Sequence, residues 1–155
     1  MSSPPTVSSP LRTSGVPAHT ASDLPPVVER FCRYVQIDTQ SAPTSATFPS
    51  TAKQMDLSRL LVDELCAMDL ADAELDEHGY VFATVPSSLP AEDAARLPTV
   101  GLVAHVDTSP DAPGANVRPL LHPDYDGAAF ALPGDPAVTL DPDRQPALRA
   151  HLGHT

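Results

Sequence analysis

The stretch that decides the reading is Thr99-Val100-Gly101-Leu102-Val103-Ala104-His105-Val106-Asp107-Thr108-Ser109-Pro110-Asp111. Residues 99–104 are apolar almost throughout, the pattern of a strand covered on both faces. The run then places a histidine and an aspartate two residues apart at its end and breaks into a turn at Pro110. Side chains alternate along a strand, so His105 and Asp107 fall on the same side. In open α/β sheets, ligands bind in the crevice beyond the carboxyl ends of the strands. A neutral imidazole can give one nitrogen to a metal while the other donates to a carboxylate that fixes the ring. Spacing alone leaves two readings open, a hydrogen-bonded structural pair and a metal or catalytic pair.

Upstream of this run, Pro25-Pro26 opens a helix, since proline suits a first turn whose N–H has no partner anyway. Val27, Val28, Phe31, Tyr34 and Val35 recur at helical spacing and predict a helix over 26–37, with the apolar stripe as core. Asp38-Thr39-Gln40-Ser41 ends it. Ser50 or Thr51 is placed to cap a second helix carrying Leu57, Leu60, Leu61, Leu65 and Met68. Residues 71–75 and 80–85 read as two strands joined by Glu77-His78-Gly79, with His78 an exposed turn residue. A helical turn is expected at 92–96. Beyond Asp111, Pro113-Gly114 makes a turn. Residues 117–121 and 128–132 are candidate strands flanking Pro123-Asp124-Tyr125-Asp126-Gly127, and 146–152 is a short helix. The order helix, helix, strand, strand, strand predicts an α/β layer fold. No internal repeat is visible.

Composition narrows the function classes. The chain of 155 residues fits one domain, and its net charge is −11, with a single lysine, Lys53, and no basic run. That argues against nucleic acid and anionic membranes, which need clustered Lys and Arg. No apolar stretch approaches a membrane span. Cys32 and Cys66 are far apart, lack the close spacing of a zinc knuckle or redox motif, and read as buried free thiols in a reducing compartment. Residues 1–24, rich in Ser, Pro and Thr, read as a disordered tail without the apolar region of a secretory signal. The remaining 25–155 form the folded part. His19 lies in the tail, His122 in a loop, and His151 and His154 on the solvated face of the terminal helix.

Several of these segments together resemble the N-terminal portion of the peptidase T family, the tripeptide aminopeptidases of the zinc-dependent aminopeptidase and carboxypeptidase superfamily. They are Val28-Glu29-Arg30-Phe31 with Tyr34-Val35, Asp38-Thr39-Gln40-Ser41, Pro49-Ser50-Thr51 before a Leu-rich helix, and Gly79-Tyr80 with Ala83-Thr84-Val85-Pro86. The most specific piece is His105-Val106-Asp107-Thr108-Ser109-Pro110-Asp111 followed by Asn116-Val117. The broader superfamily shares the His-x-Asp, whereas the Thr-Ser-Pro-Asp continuation is similar to peptidase T in particular. The ending from Pro146 to Gly153-His154-Thr155 also fits.

The resemblance implies a cytoplasmic zinc exopeptidase acting on short peptides, with a three-layer α-β-α catalytic domain and two Zn²⁺ per complete site. His105 matches a zinc ligand and Asp107 the catalytic acidic residue that orients it. The resemblance also implies that the bridging aspartate, the glutamate base, the remaining ligands and a smaller lid domain, through which a homodimer would form, lie beyond these residues. Asp111, Asp124, Asp126, Asp135, Asp141 and Asp143 match none of those positions. The expectation is therefore the incomplete N-terminal part of a peptidase, a fragment or the product of a truncated gene model, and inactive by itself. The competing expectations are another hydrolase of the superfamily (a dipeptidase, carboxypeptidase or deacylase) and a non-catalytic α/β binding module.

Overall fold

The computed structural model describes residues 24–155. The expected tail, His19 included, falls almost wholly outside them. The described residues fall into two compact units, Leu24–Pro119 and Leu120–Thr155.

In the first unit, helix α1 spans Pro26–Tyr34 and helix α2 spans Gln54–Ala67. Proline stands in the first turn of α1, and the carbonyl of Pro25 accepts from the amides of Val28 and Glu29. The expected apolar seam on α1 is only partly used. Val28, Tyr34 and Val35 are half-buried, whereas Val27 and Phe31 stand in solvent. Polar groups tie the helix to α2 instead. Arg30 (3.4 Å), Arg33 and the Tyr34 hydroxyl all converge on the Glu64 carboxylate, which is mostly buried. Burial, and then the Glu64 carboxylate beside it, push the Tyr34 phenol above its ordinary value.

Neither Ser50 nor Thr51 caps α2 through its side chain. The helix enters through Lys53 in helical conformation, and both hydroxyls are engaged elsewhere. The seat of α2 is Gln54, Leu57 and Ser58. The Ser58 hydroxyl, 1% exposed, donates to the Gly79 carbonyl at 3.1 Å, a bond worth about 1 kcal/mol net. It joins α2 to the turn of the following hairpin.

That hairpin pairs β1, Glu74–Leu75, with β2, Val81–Phe82, antiparallel. It is shorter than expected but in the expected place. Asp76 organises its turn, one carboxylate oxygen accepting from the amides of His78 and Tyr80. Gly79 closes it at φ +87, a conformation that side chains with a Cβ rarely adopt, and a Cβ there would lie 3.1 Å from the Met55 sulfur. Hydrogen bonds from the Thr84 hydroxyl and amide hold the Asp72 carboxyl below its ordinary value. Helix α3 spans Ala91–Ala94. Both cysteines are free. Cys32 is half-buried and Cys66 exposed, which corrects the expectation of two buried thiols.

The largest correction concerns 99–104. This run forms no strand, and Val100, Leu102 and Val103 are 77%, 95% and 99% exposed. A strand exists only through neighbours that pair with its amides and carbonyls. Among the described residues none lies alongside it. The first pairing in this stretch is a parallel bridge between Gln40 and Thr108.

In the second unit, β3, Phe130–Leu132, pairs antiparallel with β4, Asp135–Leu140, across Pro133-Gly134, with a register shift between Ala131 and Leu132. Residues 117–121 form no strand. The partner of β3 is β4, whose Pro136 disguises it in the sequence because proline cannot donate to a ladder. Phe130 packs between the rings of His122 (4.2 Å) and Tyr125 (6.1 Å, edge-on). The terminal element is a 3₁₀ helix, Pro146–His151. His122 lies outside helices and strands, as expected, with its Nε2 buried and without a hydrogen-bond partner among the described residues. The rings of His151 and His154 stand 5.7 Å apart on exposed residues, as expected.

Helices and small antiparallel sheets thus mix along the chain, in agreement with the α/β expectation at that coarse level. No helix among the described residues is long and apolar enough to cross a membrane.

Candidate functional site

The local conformation of 105–107 brings together the two residues singled out in the sequence. His105 Nδ1 lies 2.7 Å from the backbone oxygen of Asp107 and 3.2 Å from its Oδ1. A carbonyl oxygen only accepts hydrogen bonds, so Nδ1 carries the proton and donates to both oxygens. In the neutral ring this leaves the lone pair on Nε2. The imidazole is 83% exposed and Asp107 46% exposed, so that nitrogen is open to a ligand. Residue spacing thus anticipated the contact, although no ladder among the described residues supports it.

A second group of residues, absent from the sequence expectations as site residues, anchors the chain just after the pair. The Thr108 amide donates to the Thr39 carbonyl at 3.1 Å, and the Thr108 carbonyl accepts from the Ser41 amide at 2.9 Å and hydroxyl at 3.0 Å. Gln40 Nε2 donates to the carbonyls of Pro110 (3.3 Å) and Ala112 (2.9 Å). The segment 38–41 is stitched in turn to the start of α2. Thr51 Oγ1 donates to the Gln40 carbonyl at 2.9 Å, and Lys53 Nζ pairs with Asp38 Oδ2 at 2.8 Å. Thr39, 2% exposed, is the innermost residue of this knot. The only sequence signal for it was the run Asp38-Thr39-Gln40-Ser41 at a helix end. Its partners lie 67 to 72 residues away, beyond the reach of any local pattern.

The electrostatics of the knot centre on Asp38. The Lys53 ammonium first, and then the Gln40 amide, hold its carboxyl below the ordinary carboxylate value. A folded-state value below the unfolded one means that this contribution to stability is present above the unfolded value and is lost as pH falls through the folded one. Carboxyl-carbon NMR is expected to show Asp38 titrating below the ordinary value of about 3.9. In Lys53→Met the midpoint should move up toward it. No movement would remove Lys53 from the account.

Among the described residues no three His, Cys, Asp or Glu side chains converge as a metal site. The groove between α1 and α2, lined by Pro26, Glu29, Arg30, Arg33, Glu64 and Met68, belongs to the Glu64 ion pairs rather than to the His105–Asp107 pair.

No protein-family model matches the chain. The chain is 45% identical over 129 residues to the peptidase T of Geobacillus thermodenitrificans and to that of Bacillus subtilis. It is equally similar to the peptidase T of Halothermothrix orenii. Over that stretch the chain is homologous to peptidase T. The match takes in 83% of this chain but only 30% of the Geobacillus and Bacillus proteins and 31% of the Halothermothrix one, so the chain spans about a third of the length of the curated relatives it matches.

Proposed function

We propose that this chain is the N-terminal part of the catalytic domain of a metal-dependent exopeptidase of the peptidase T type. In the whole protein it would supply His105 as one ligand of a two-zinc site and Asp107 as the carboxylate that orients it. The observation that carries this reading is the approach of His105 Nδ1 to two oxygens of Asp107, at 2.7 and 3.2 Å, which puts the proton on Nδ1 and leaves Nε2 open. That is the arrangement a ligand histidine needs, with tautomer and ring orientation set from the far side. The homology to peptidase T supports the same reading.

The residues present fit one ligand position and do not complete a site, since a catalytic zinc generally takes three protein ligands and a water. When bound, the metal supplies polarisation of the peptide carbonyl and a water acidified toward neutral pH. The contribution of this chain is narrower. Asp107 holds the Nδ1 proton, fixes the ring plane and raises the basicity of Nε2. The substrates in this reading are short peptides, tripeptides foremost. The catalytic domain is the three-layer α-β-α fold, into which 99–104 enters as a strand covered on both faces. A homodimer through a domain outside these residues and a cytoplasmic location complete the proposal, the latter in keeping with two free thiols.

Titrating the ¹⁵N-labelled 155-residue chain with Zn²⁺ is expected to move the Nε2 resonance of His105, with an affinity far below that of a three-ligand site. His105→Ala should abolish the response. Binding at Nδ1 instead would overturn the assignment. The same zinc-loaded chain is expected to show no tripeptide hydrolysis, and turnover that survives purification would refute the incomplete-site reading.

A further inference from the structure

The His105–Asp107 pair has little around it to hold it still. Residues 99–105 are exposed throughout, and no ladder among the described residues fixes them. The first fixed point beyond the pair is Thr108, and the backbone bridge to 39–41 fixes that residue only. The turn that follows is anchored by a side chain, the Gln40 carboxamide, through the carbonyls of Pro110 and Ala112. Proline has no N–H, so this turn cannot extend the ladder through residue 110. A carboxamide carries two hydrogens on one nitrogen and can serve both carbonyls at once. Gln40 is itself held at both ends, its amide by Asp38 Oδ1 at 3.0 Å and its carbonyl by Thr51 Oγ1. Gly114 closes against it. A Cβ at that position would lie 2.7 Å from Asp38 Oδ1 and 3.2 Å from Gln40 Cβ, so the turn sits on the Gln40 side chain with no room to spare.

We propose that Gln40 is the positioning residue of the His105–Asp107 pair. By tying down the carbonyls of 110 and 112 it sets the path of the chain leaving Asp107. It thereby sets the geometry in which the two Asp107 oxygens hold His105 Nδ1. The proposal rests on the reading of His105 as a metal ligand and Asp107 as its orienting carboxylate. Gln40 touches neither the imidazole nor any metal, and its effect passes through the backbone of 108–112.

The test uses the full 155-residue chain, ¹⁵N-labelled, at a pH about 1.5 units above the ordinary imidazole value. Long-range ¹H–¹⁵N spectra then report which ring nitrogen of His105 carries the proton. The wild-type chain is expected to show the Nδ1–H form. Gln40→Glu keeps the shape but has no hydrogen to donate. It is expected to lose that preference with the denaturant midpoint unchanged, while the Thr108 amide, bonded to the Thr39 carbonyl, keeps its exchange protection. Gln40→Lys keeps a donor and should retain the preference. An unaltered His105 tautomer in Gln40→Glu overturns the proposal. So does an equal fall of the denaturant midpoint in both variants, which would make Gln40 a scaffold residue. Zn²⁺ alone is the second probe. The concentration that half-shifts His105 Nε2 should rise up to ~10-fold in Gln40→Glu, the low end of outer-shell effects. If Zn²⁺ moves His105 in neither chain while the tautomer still follows Gln40, the metal reading fails and the positioning role stands.

Discussion

Grafting the 129 matched residues of this chain in place of their counterparts in the Bacillus subtilis peptidase T is expected to give a protein that removes the N-terminal residue of tripeptides. In that graft Asp107→Ala should lower kcat/KM by ~10–100-fold, the range for groups that orient a metal ligand. His105→Ala should cost more than Asp107→Ala. The ordering follows from the geometry: His105 would lose the donor atom itself, whereas Asp107→Ala leaves Nε2 in place and removes only one of the two oxygens that hold Nδ1. Because the backbone oxygen of Asp107 survives the substitution, part of the loss should be recovered by raising the Zn²⁺ concentration. No such recovery is expected for His105→Ala. A graft that cleaves tripeptides equally well with and without His105 would remove that residue from the site.

The parts of the structure legible in the sequence are those whose cause is local. Pro26 starts α1, the leucine spacing of 57, 60, 61 and 65 marks α2, and Gly79 closes the β1–β2 turn at a positive φ. The contact of His105 with Asp107 was legible for the same reason, since a spacing of two puts both on one side of an extended chain. What failed depends on partners. Residues 117–121 carry strand-like residues but pair with nothing among the described residues, and β4 is hidden in the sequence because Pro136 breaks its pattern while Leu140 pairs back to Phe130. The spacing on α1 predicts a core stripe, yet Val27 and Phe31 stay in solvent and Glu64 makes the attachment. The knot around Thr39 and Gln40 was invisible for a different reason. Its bonds run from a loop to backbone carbonyls far along the chain, and carbonyls carry no sequence signature at all.

The apolar run 99–104 separates the chain as it stands from the domain it is proposed to enter, and single charges on it should tell the two apart. In the 155-residue chain Leu102 and Val103 are almost fully solvated, so Leu102→Asp and Val103→Asp should each change the unfolding free energy by no more than about 0.5 kcal/mol. They should also improve solubility, because a contiguous run of exposed apolar side chains invites association. In the graft the same run is expected to be a strand covered on both faces. An aspartate there is too short to reach water along its own stem, and burying its unpaired charge costs several kcal/mol, a large part of a domain's total stability of roughly 5–15 kcal/mol. Adjacent residues of a strand face opposite ways, so each substitution probes one face. If both abolish folding and activity of the graft, helices cover the sheet on either side, as a three-layer domain requires. If Leu102→Asp and Val103→Asp differ, with one tolerated, one face lies open to solvent. The strand would then belong to a two-layer sheet, and the three-layer assignment would fall while the roles of His105 and Asp107 remained intact.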